Sequence, residues 1–336
     1  MGYITIDTNA LKHNFKYFSR LSGGQDKVIV GLKDNAYGHG IELVGKVLSE
    51  AGAKSCFVRC LAEANKVSDW YQNILILVEK PNVPLPEKIH TAINSFEALF
   101  QIPEGNAIEL SIDTGMHRDG IMPGELEEAL AIISKRKLKL KGILTHFATA
   151  DEDKTKMLLQ QQVFEDTLKE ARKLWNEPYR VHCANTAATS IVDSKMYDAN
   201  RIGLGLYGYS EYPGEQQNLL PVMALYARRI ATRTISGGES IGYGSKAYIV
   251  PRDNFIVSNY DIGYGDGFLR LNERKHATIA DGRPILGRVS MDSLSVEGDD
   301  DTICIFSNAR QLAKVHDTIV YEILTSLNAE IERILI

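Results

Sequence analysis

Val28-Ile29-Val30-Gly31-Leu32-Lys33-Asp34-Asn35-Ala36-Tyr37-Gly38-His39-Gly40 is the stretch from which the fold can be read. Its first five residues form an apolar run that predicts a strand buried on both faces. A lysine then stands at the carboxyl end of that strand, where burial is costly unless the amine performs chemistry. Two glycines and an asparagine follow closely, freeing the backbone for unusual angles and close approach to a ligand. Taken alone, a lysine at a strand end more often snorkels into water. The rest of the chain favours a Schiff-base lysine.

Outward from this stretch, residues 8–212 alternate short apolar runs with longer amphipathic ones. Strands are predicted at 28–32, 56–59, 74–78, 88–93, 108–112, 142–146, 180–183 and 200–206, and helices between them at 41–51, 61–70, 123–135 and 154–175. Eight strands with intervening helices predict an α/β fold, an N-terminal (β/α)8 TIM-like barrel spanning 8–212. Pro213-Gly214-Glu215-Gln216-Gln217-Asn218 reads as a linker. Beyond it, short runs at 223–235, 255–261, 285–291 and 302–306, punctuated by glycine, predict a mainly-β C-terminal domain over 213–336 that also takes in residues 1–7. Residues 318–336 fit strand or helix.

Composition narrows the function. The 336 residues carry 38 basic and 43 acidic side chains, a formal charge of −5, which argues against nucleic-acid binding and against a basic membrane surface. No apolar stretch reaches membrane-spanning length. Residues 1–7 have no basic n-region followed by an apolar h-region, so a cytoplasmic protein is expected. Cys56, Cys60, Cys183 and Cys304 form no CxxC pair, and the eight histidines show no ligand spacing, so no metal is expected.

In a barrel, functional groups gather at the carboxyl ends of the strands. Lys33 follows the first, Asp113-Thr114-Gly115-Met116-His117-Arg118 the fifth, and His146 ends the sixth. His182-Cys183-Ala184-Asn185-Thr186 closes the seventh, and Asn200-Arg201-Ile202-Gly203 opens the eighth. Polar groups converging on one barrel face with a lysine among them make a site. Gly203-Leu204-Gly205-Leu206-Tyr207-Gly208 matches GxGxxG, but Tyr209-Ser210-Glu211-Tyr212-Pro213 follows it where a dinucleotide site needs a helix. Its glycines better suit backbone amides approaching a phosphate.

With these motifs in order, the chain resembles the alanine racemases, fold-type III pyridoxal-phosphate enzymes. The resemblance runs from Lys33 to Tyr321. Besides the Lys33 stretch and Asp113-Thr114-Gly115-Met116, it is carried by Thr145-His146-Phe147-Ala148-Thr149-Ala150-Asp151, Ile262-Gly263-Tyr264-Gly265-Asp266-Gly267 and Gly287-Arg288-Val289-Ser290-Met291-Asp292. The resemblance implies interconversion of L-alanine and D-alanine by two-base proton transfer on pyridoxal 5'-phosphate. It also implies a homodimer with shared active sites and D-alanine supply for peptidoglycan. Lys33 would hold the cofactor as a Schiff base and act on the D-enantiomer. Tyr243, in Ile241-Gly242-Tyr243-Gly244, would arrive from the partner subunit and act on the L-enantiomer. The phosphate cradle would comprise Tyr37, Thr186, Tyr321 and the backbone at Gly203 and Leu204. Arg201 would face the pyridine nitrogen with His182 supporting it, and His146 would pack near the ring. Arg118 and Met291 would hold the substrate carboxylate, and Tyr264, Arg270, Arg288 and Asp151 would line an access corridor.

These residue types suit the chemistry. Racemisation needs a proton removed from one face of Cα and one delivered to the other, so two bases are the simplest solution. A phenol serves as a base only with positive charge nearby. Arginine stays charged and only donates, so Arg201 should keep the ring nitrogen unprotonated and the ring a shallow electron sink.

The chain departs from the family at Ser111, where many members carry a carbamylated lysine bracing the arginine. It departs again at His117 and Asp119, which flank Arg118. A racemase of broader scope, acting on serine or other amino acids, is the alternative. A fold-type III decarboxylase fits less well because Arg201 replaces the acidic partner of the ring nitrogen. A non-catalytic carrier of the cofactor fits less well because the second domain and Tyr243 are present.

Overall fold

The computed structural model describes residues 1–193, 195–212, 214–244, 247–270 and 276–336. The boundary expected at residue 213 lies outside the described residues. Two compact units are formed, one of Ala10–Ala36 and Ile41–Leu220, the other of Met1–Asn9, Tyr37–Gly40 and Pro221–Ile336.

After β1 (Tyr3–Ile6), the chain builds the first unit around eight parallel strands. These are β2 (Val28–Gly31), β3 (Ser55–Val58), β4 (Asn73–Ile76), β5 (Ile89–Ile93), β6 (Ala107–Ser111), β7 (Lys139–Leu144), β8 (Arg180–His182) and β9 (Asn200–Ile202). Their order is β8-β7-β6-β5-β4-β3-β2-β9, and a parallel bridge between His182 and Ala199 brings the ends together. This is the (β/α)8 barrel, with each of the eight strands falling on one of the predicted apolar runs. The helices Ile41–Glu50, Leu61–Val67, Leu126–Lys135 and Lys154–Leu174 lie between them in the chain.

Alternation along each strand sorts side chains to two sides. On β6, Ile108 and Leu110 pack with Leu130, Ile133, Phe164 and Leu168 of the surrounding helices. Glu109, between them, therefore points inward. The barrel interior is apolar where Ile29, Phe57, Leu75, Ala92 and Leu144 meet.

The eighth strand is shorter than its sequence predicts. It ends at Ile202, and Leu204–Tyr207 forms a single 3-10 turn closed by left-handed Gly208. The reason is that the Tyr207 hydroxyl, fully buried, donates to the Gly31 carbonyl at 2.7 Å and folds the segment back. The GxGxxG stretch is thus this turn, with no α-helix following it.

The second unit is mainly β. Its sheet runs β14 (Leu294–Glu297), β13 (Phe255–Tyr260), β10 (Met223–Ile235), β1 and β16 (Glu332–Leu335), with β15 (Thr302–Phe306) also pairing with β10. A short hairpin, β11 (Ser240–Ile241) with β12 (Tyr248–Ile249), stands apart from that sheet. The strand predicted at 285–291 does not form, apart from one bridge between Ile285 and Val296. Gly287 takes a φ of 69°, which breaks the extended run, and the Ser290 and Met291 carbonyls then accept from the amides of Tyr264 and Gly265. The terminal stretch resolves into a helix, Val320–Thr325, followed by β16. Among the described residues, no helix is long and apolar enough to cross a membrane.

Candidate active site

Lys33 leaves β2 directly into a left-handed turn. Asp34, Asn35, Ala36 and Tyr37 all have φ near +54°, from 53° to 54°. Left-handed backbone costs an L-residue about 1–2 kcal/mol, so the surroundings must over-determine this segment. They do. The Ala36 amide donates to the Leu32 carbonyl at 2.8 Å, and the Asn35 amide to Glu63 Oε1 at 2.9 Å. Asn35 Oδ1 in turn accepts from the Ile41 amide at 2.9 Å. The sequence placed the unusual angles on Asn35, Gly38 and Gly40, and all three are left-handed, at φ 54°, 82° and 95°. Asp34, Ala36 and Tyr37 share that conformation, and Glu63, which holds the turn, lay outside the sequence reading.

The Lys33 side chain is about one-third exposed, with Nζ 3.0 Å from Asp34 Oδ2, and Asp34 Oδ1 also meets Arg59 at 3.2 Å. Lys33, Arg118 and Arg201 all act electrostatically on His146. Burial first, then these three cations, push the His146 imidazole down to about 3, so it is neutral at physiological pH. The cations expected from separate strands thus all bear on one uncharged imidazole.

Arg201 is buried on β9. Its Nη1 donates to His182 Nδ1 at 2.7 Å and to the His182 carbonyl at 3.1 Å. Its Nη2 donates to the carbonyls of Thr145 at 2.7 Å and Cys183 at 3.3 Å, with His146 Nδ1 at 3.4 Å. Burial lowers its pKa to about 10, which still leaves it charged at neutrality.

Behind Arg201 lies a constellation absent from the sequence expectations. His182 Nε2 lies 2.5 Å from Oε2 of Glu109, whose carboxylate is 0% exposed. Glu109 Oε1 accepts from Arg180 Nη2 at 2.7 Å, Arg180 Nε at 3.2 Å and His90 Nδ1 at 2.8 Å. Burial alone would raise the Glu109 pKa, but Arg180 and His182 outweigh it and hold the carboxyl well below its ordinary value. The signal was the alternation on β6, which sends one carboxylate into the barrel between two outward apolar residues.

His182 is driven by burial to about 4, against the pull of Glu109. The unfolded chain therefore takes up this proton first. The His182 contribution to stability is complete above about pH 6.5 and is lost as the pH falls through the window down to about 4, a change of about 3 kcal/mol. Urea unfolding followed across that window should show the native chain losing stability more steeply than the His182→Gln variant.

The remaining expected residues fall as follows. Thr186 is buried, and its Oγ1 accepts from the Gly205 amide at 3.3 Å, beside the turn that begins at Gly203 and Leu204. Arg118 is exposed, with Nε 3.8 Å from Asp119. His117 turns away to Asp113 at 3.2 Å, and Ser111 is buried. In the other unit, the rings of Tyr37 and Tyr321 lie 5.9 Å apart. Tyr243 is 59% exposed on the β11–β12 connection, between Gly242 and Gly244 at φ 90° and 84°. The Arg288 guanidinium lies against Gly244. Met291 is exposed, and Arg270 lies over the Tyr264 ring at 5.8 Å. Among the described residues, no cluster of three or more His, Cys, Asp or Glu could hold a metal.

Comparison with known proteins places this geometry. Residues 6–211 match the family described as alanine racemase, N-terminal domain, and residues 222–335 the family described as alanine racemase, C-terminal domain. The chain is 40% identical over 339 residues to an alanine racemase of a Nitratiruptor species, covering 99% of each chain. It is 35% identical over 336 residues to that of Campylobacter jejuni, covering 100% of each. Among solved structures, alanine racemase from Streptomyces lavendulae superposes with a TM-score of 0.86 at 26% identity, covering 100% of this chain and 97% of that one. That from Bacillus anthracis with bound L-Ala-P gives 0.85 at 25%, covering 100% and 95%.

Proposed function

The chain belongs to the alanine racemase family, whose reaction, the interconversion of L-alanine and D-alanine, is its own, and we propose that Lys33 and Tyr243 are the two groups that move the proton. The observation that supports this assignment most is that Arg201 lies 3.4 Å from His146 Nδ1, and that Arg201, Arg118 and Lys33 all bear electrostatically on that neutral imidazole.

The family depends on pyridoxal 5'-phosphate, and the donor set suits that group. Lys33 offers an amine for its aldehyde. On the family's pattern, Tyr37, Thr186, Tyr321 and the backbone at Gly203 and Leu204 would hold its phosphate. Both terminal nitrogens of Arg201 are committed to the protein. Its Nε–H is the donor left for the ring nitrogen, and guanidinium offers no acceptor for a proton there. His146, kept uncharged, offers a flat face to the ring. When bound, the cofactor supplies the electron withdrawal that makes the Cα proton removable.

The chain's own groups do the rest. Arg118 and the backbone at Met291 would hold the substrate carboxylate and so orient Cα. Lys33 would take or return the proton on one face. Tyr243 would do so on the other. We further propose a homodimer in which the partner subunit's Tyr243 and Met291 complete each site, and a barrel domain divided from the β domain at residues 212–213. The family also supports a cytoplasmic role in supplying D-alanine for peptidoglycan.

The test is chromatographic resolution of both enantiomers after incubation of the reconstituted protein with L-alanine, L-serine or L-lysine. Alanine should turn over fastest. Faster turnover of serine or lysine would replace this reading with a broader racemase.

A further inference from the structure

We propose that Glu109 is a positioning residue for the reaction, setting the tautomer of His182 so that His182 orients Arg201. This deepens the function proposed above and rests on the reading that Arg201 faces the cofactor ring.

The argument starts from an asymmetry. Three donor contacts converge on Glu109 Oε1, two from Arg180 and one from His90, whereas Oε2 meets only His182 Nε2. An ionised carboxylate only accepts. With Arg180 and His90 directed at Oε1, Oε2 draws the His182 proton to Nε2. That leaves the Nδ1 lone pair facing Arg201 Nη1 at 2.7 Å. Which imidazole nitrogen bears the proton is set by the partner of the other one.

The consequence reaches the site. None of the direct hydrogen-bond partners of the Arg201 guanidinium is a carboxylate. They are carbonyl oxygens and imidazole nitrogens. A buried charge so placed needs a countercharge, and Glu109 supplies it through His182. The same contact fixes the rotation of the guanidinium and so keeps Nε–H for the ring. The opposite tautomer would point an N–H at Nη1 and displace it. The barrel makes room for the carboxylate at Gly142, where a Cβ would come within 2.8 Å of Glu109 Oε2.

Glu109→Gln tests this. Arg180 and His90 would hold the amide oxygen in the Oε1 position, so the amide nitrogen would face His182 and donate to Nε2. The proton would then move to Nδ1. Because Arg180 is left without a countercharge in that variant, Glu109→Gln with Arg180→Met is the second variant, in which His90 alone orients the amide. The probe is isotope-labelled histidine, read by the nitrogen resonances of the reconstituted protein, with His182 assigned by its loss in His182→Gln.

Native His182 should carry its proton on Nε2, and the variants on Nδ1. Their affinity for pyridoxal 5'-phosphate should fall about tenfold or more, with a shift of the long-wavelength absorption. A native His182 protonated on Nδ1, or a folded variant still protonated on Nε2, would overturn the proposal. A switched tautomer with unchanged cofactor affinity and absorption would support the Glu109–His182 link and overturn the placement of Arg201 at the ring.

Discussion

Lys33→Ala should lower racemisation in both directions by on the order of 10⁴-fold or more, because one side chain performs two tasks. It is the amine expected to hold the cofactor covalently, and it is the proposed base on one face of Cα. Two readouts separate these tasks. The absorption of the cofactor attached to the protein should disappear, which reports the attachment. Exchange of the Cα hydrogen of D-alanine with deuterated solvent should also stop, which reports the base. Added small amines should partly restore the exchange without restoring the native linkage. If Lys33→Ala kept the native absorption, another residue would be the point of attachment. A conservative arginine should not rescue, because a guanidinium stays protonated and cannot condense with an aldehyde. The backbone after Lys33 is held left-handed by the Leu32 carbonyl and by Glu63, so the position of the amine is set by the chain itself.

Tyr243→Phe should lower turnover by about 10²–10⁴-fold, the range for losing one general acid–base group. Its expected signature differs from that of Lys33→Ala. Cofactor attachment should be unchanged, and D-alanine should still exchange its Cα hydrogen with solvent because Lys33 remains. L-Alanine should lose that exchange. Equal exchange of both enantiomers in this variant would mean that Tyr243 is not the second base. The surroundings suit the task. Tyr243 stands exposed between two left-handed glycines, and Arg288 lies against the second of them, bringing positive charge to the loop. A tyrosine presented in this way is available to a partner subunit, as the proposed dimer requires.

Much of the architecture was legible because hydrophobic patterning is local. Eight apolar runs separated by amphipathic stretches specify strands buried on both faces, and eight such units close into a barrel almost independently of detail. Lys33, His146 and His182 were legible for the same reason. Their positions follow from where each run stops, whereas Arg201 stands at the start of the last run, inside β9. The run 285–291 failed because its apolar content is real while its geometry is not that of a strand. Gly287 bends it, and the carbonyls that follow are used by the turn at Tyr264. The segment 203–206 was misread for a similar reason. Its apolar residues are buried, but the bond from Tyr207 to Gly31, 176 residues away in sequence, folds it into a turn.

By itself, then, the sequence determined the order of elements, the strand ends on which the polar groups sit, and the family to which the motifs belong. Tertiary structure decided what those groups do to one another. Glu109 is one acidic residue in an apolar run until strand alternation and barrel closure bring it to His182, 73 positions away, and through it to Arg201. The neutrality of His146 likewise depends on burial and on three cations carried by different segments. Hydrophobic periodicity is written residue by residue along the chain. Charge balance and tautomer are properties of groups that meet only after folding, where low dielectric makes each partner count.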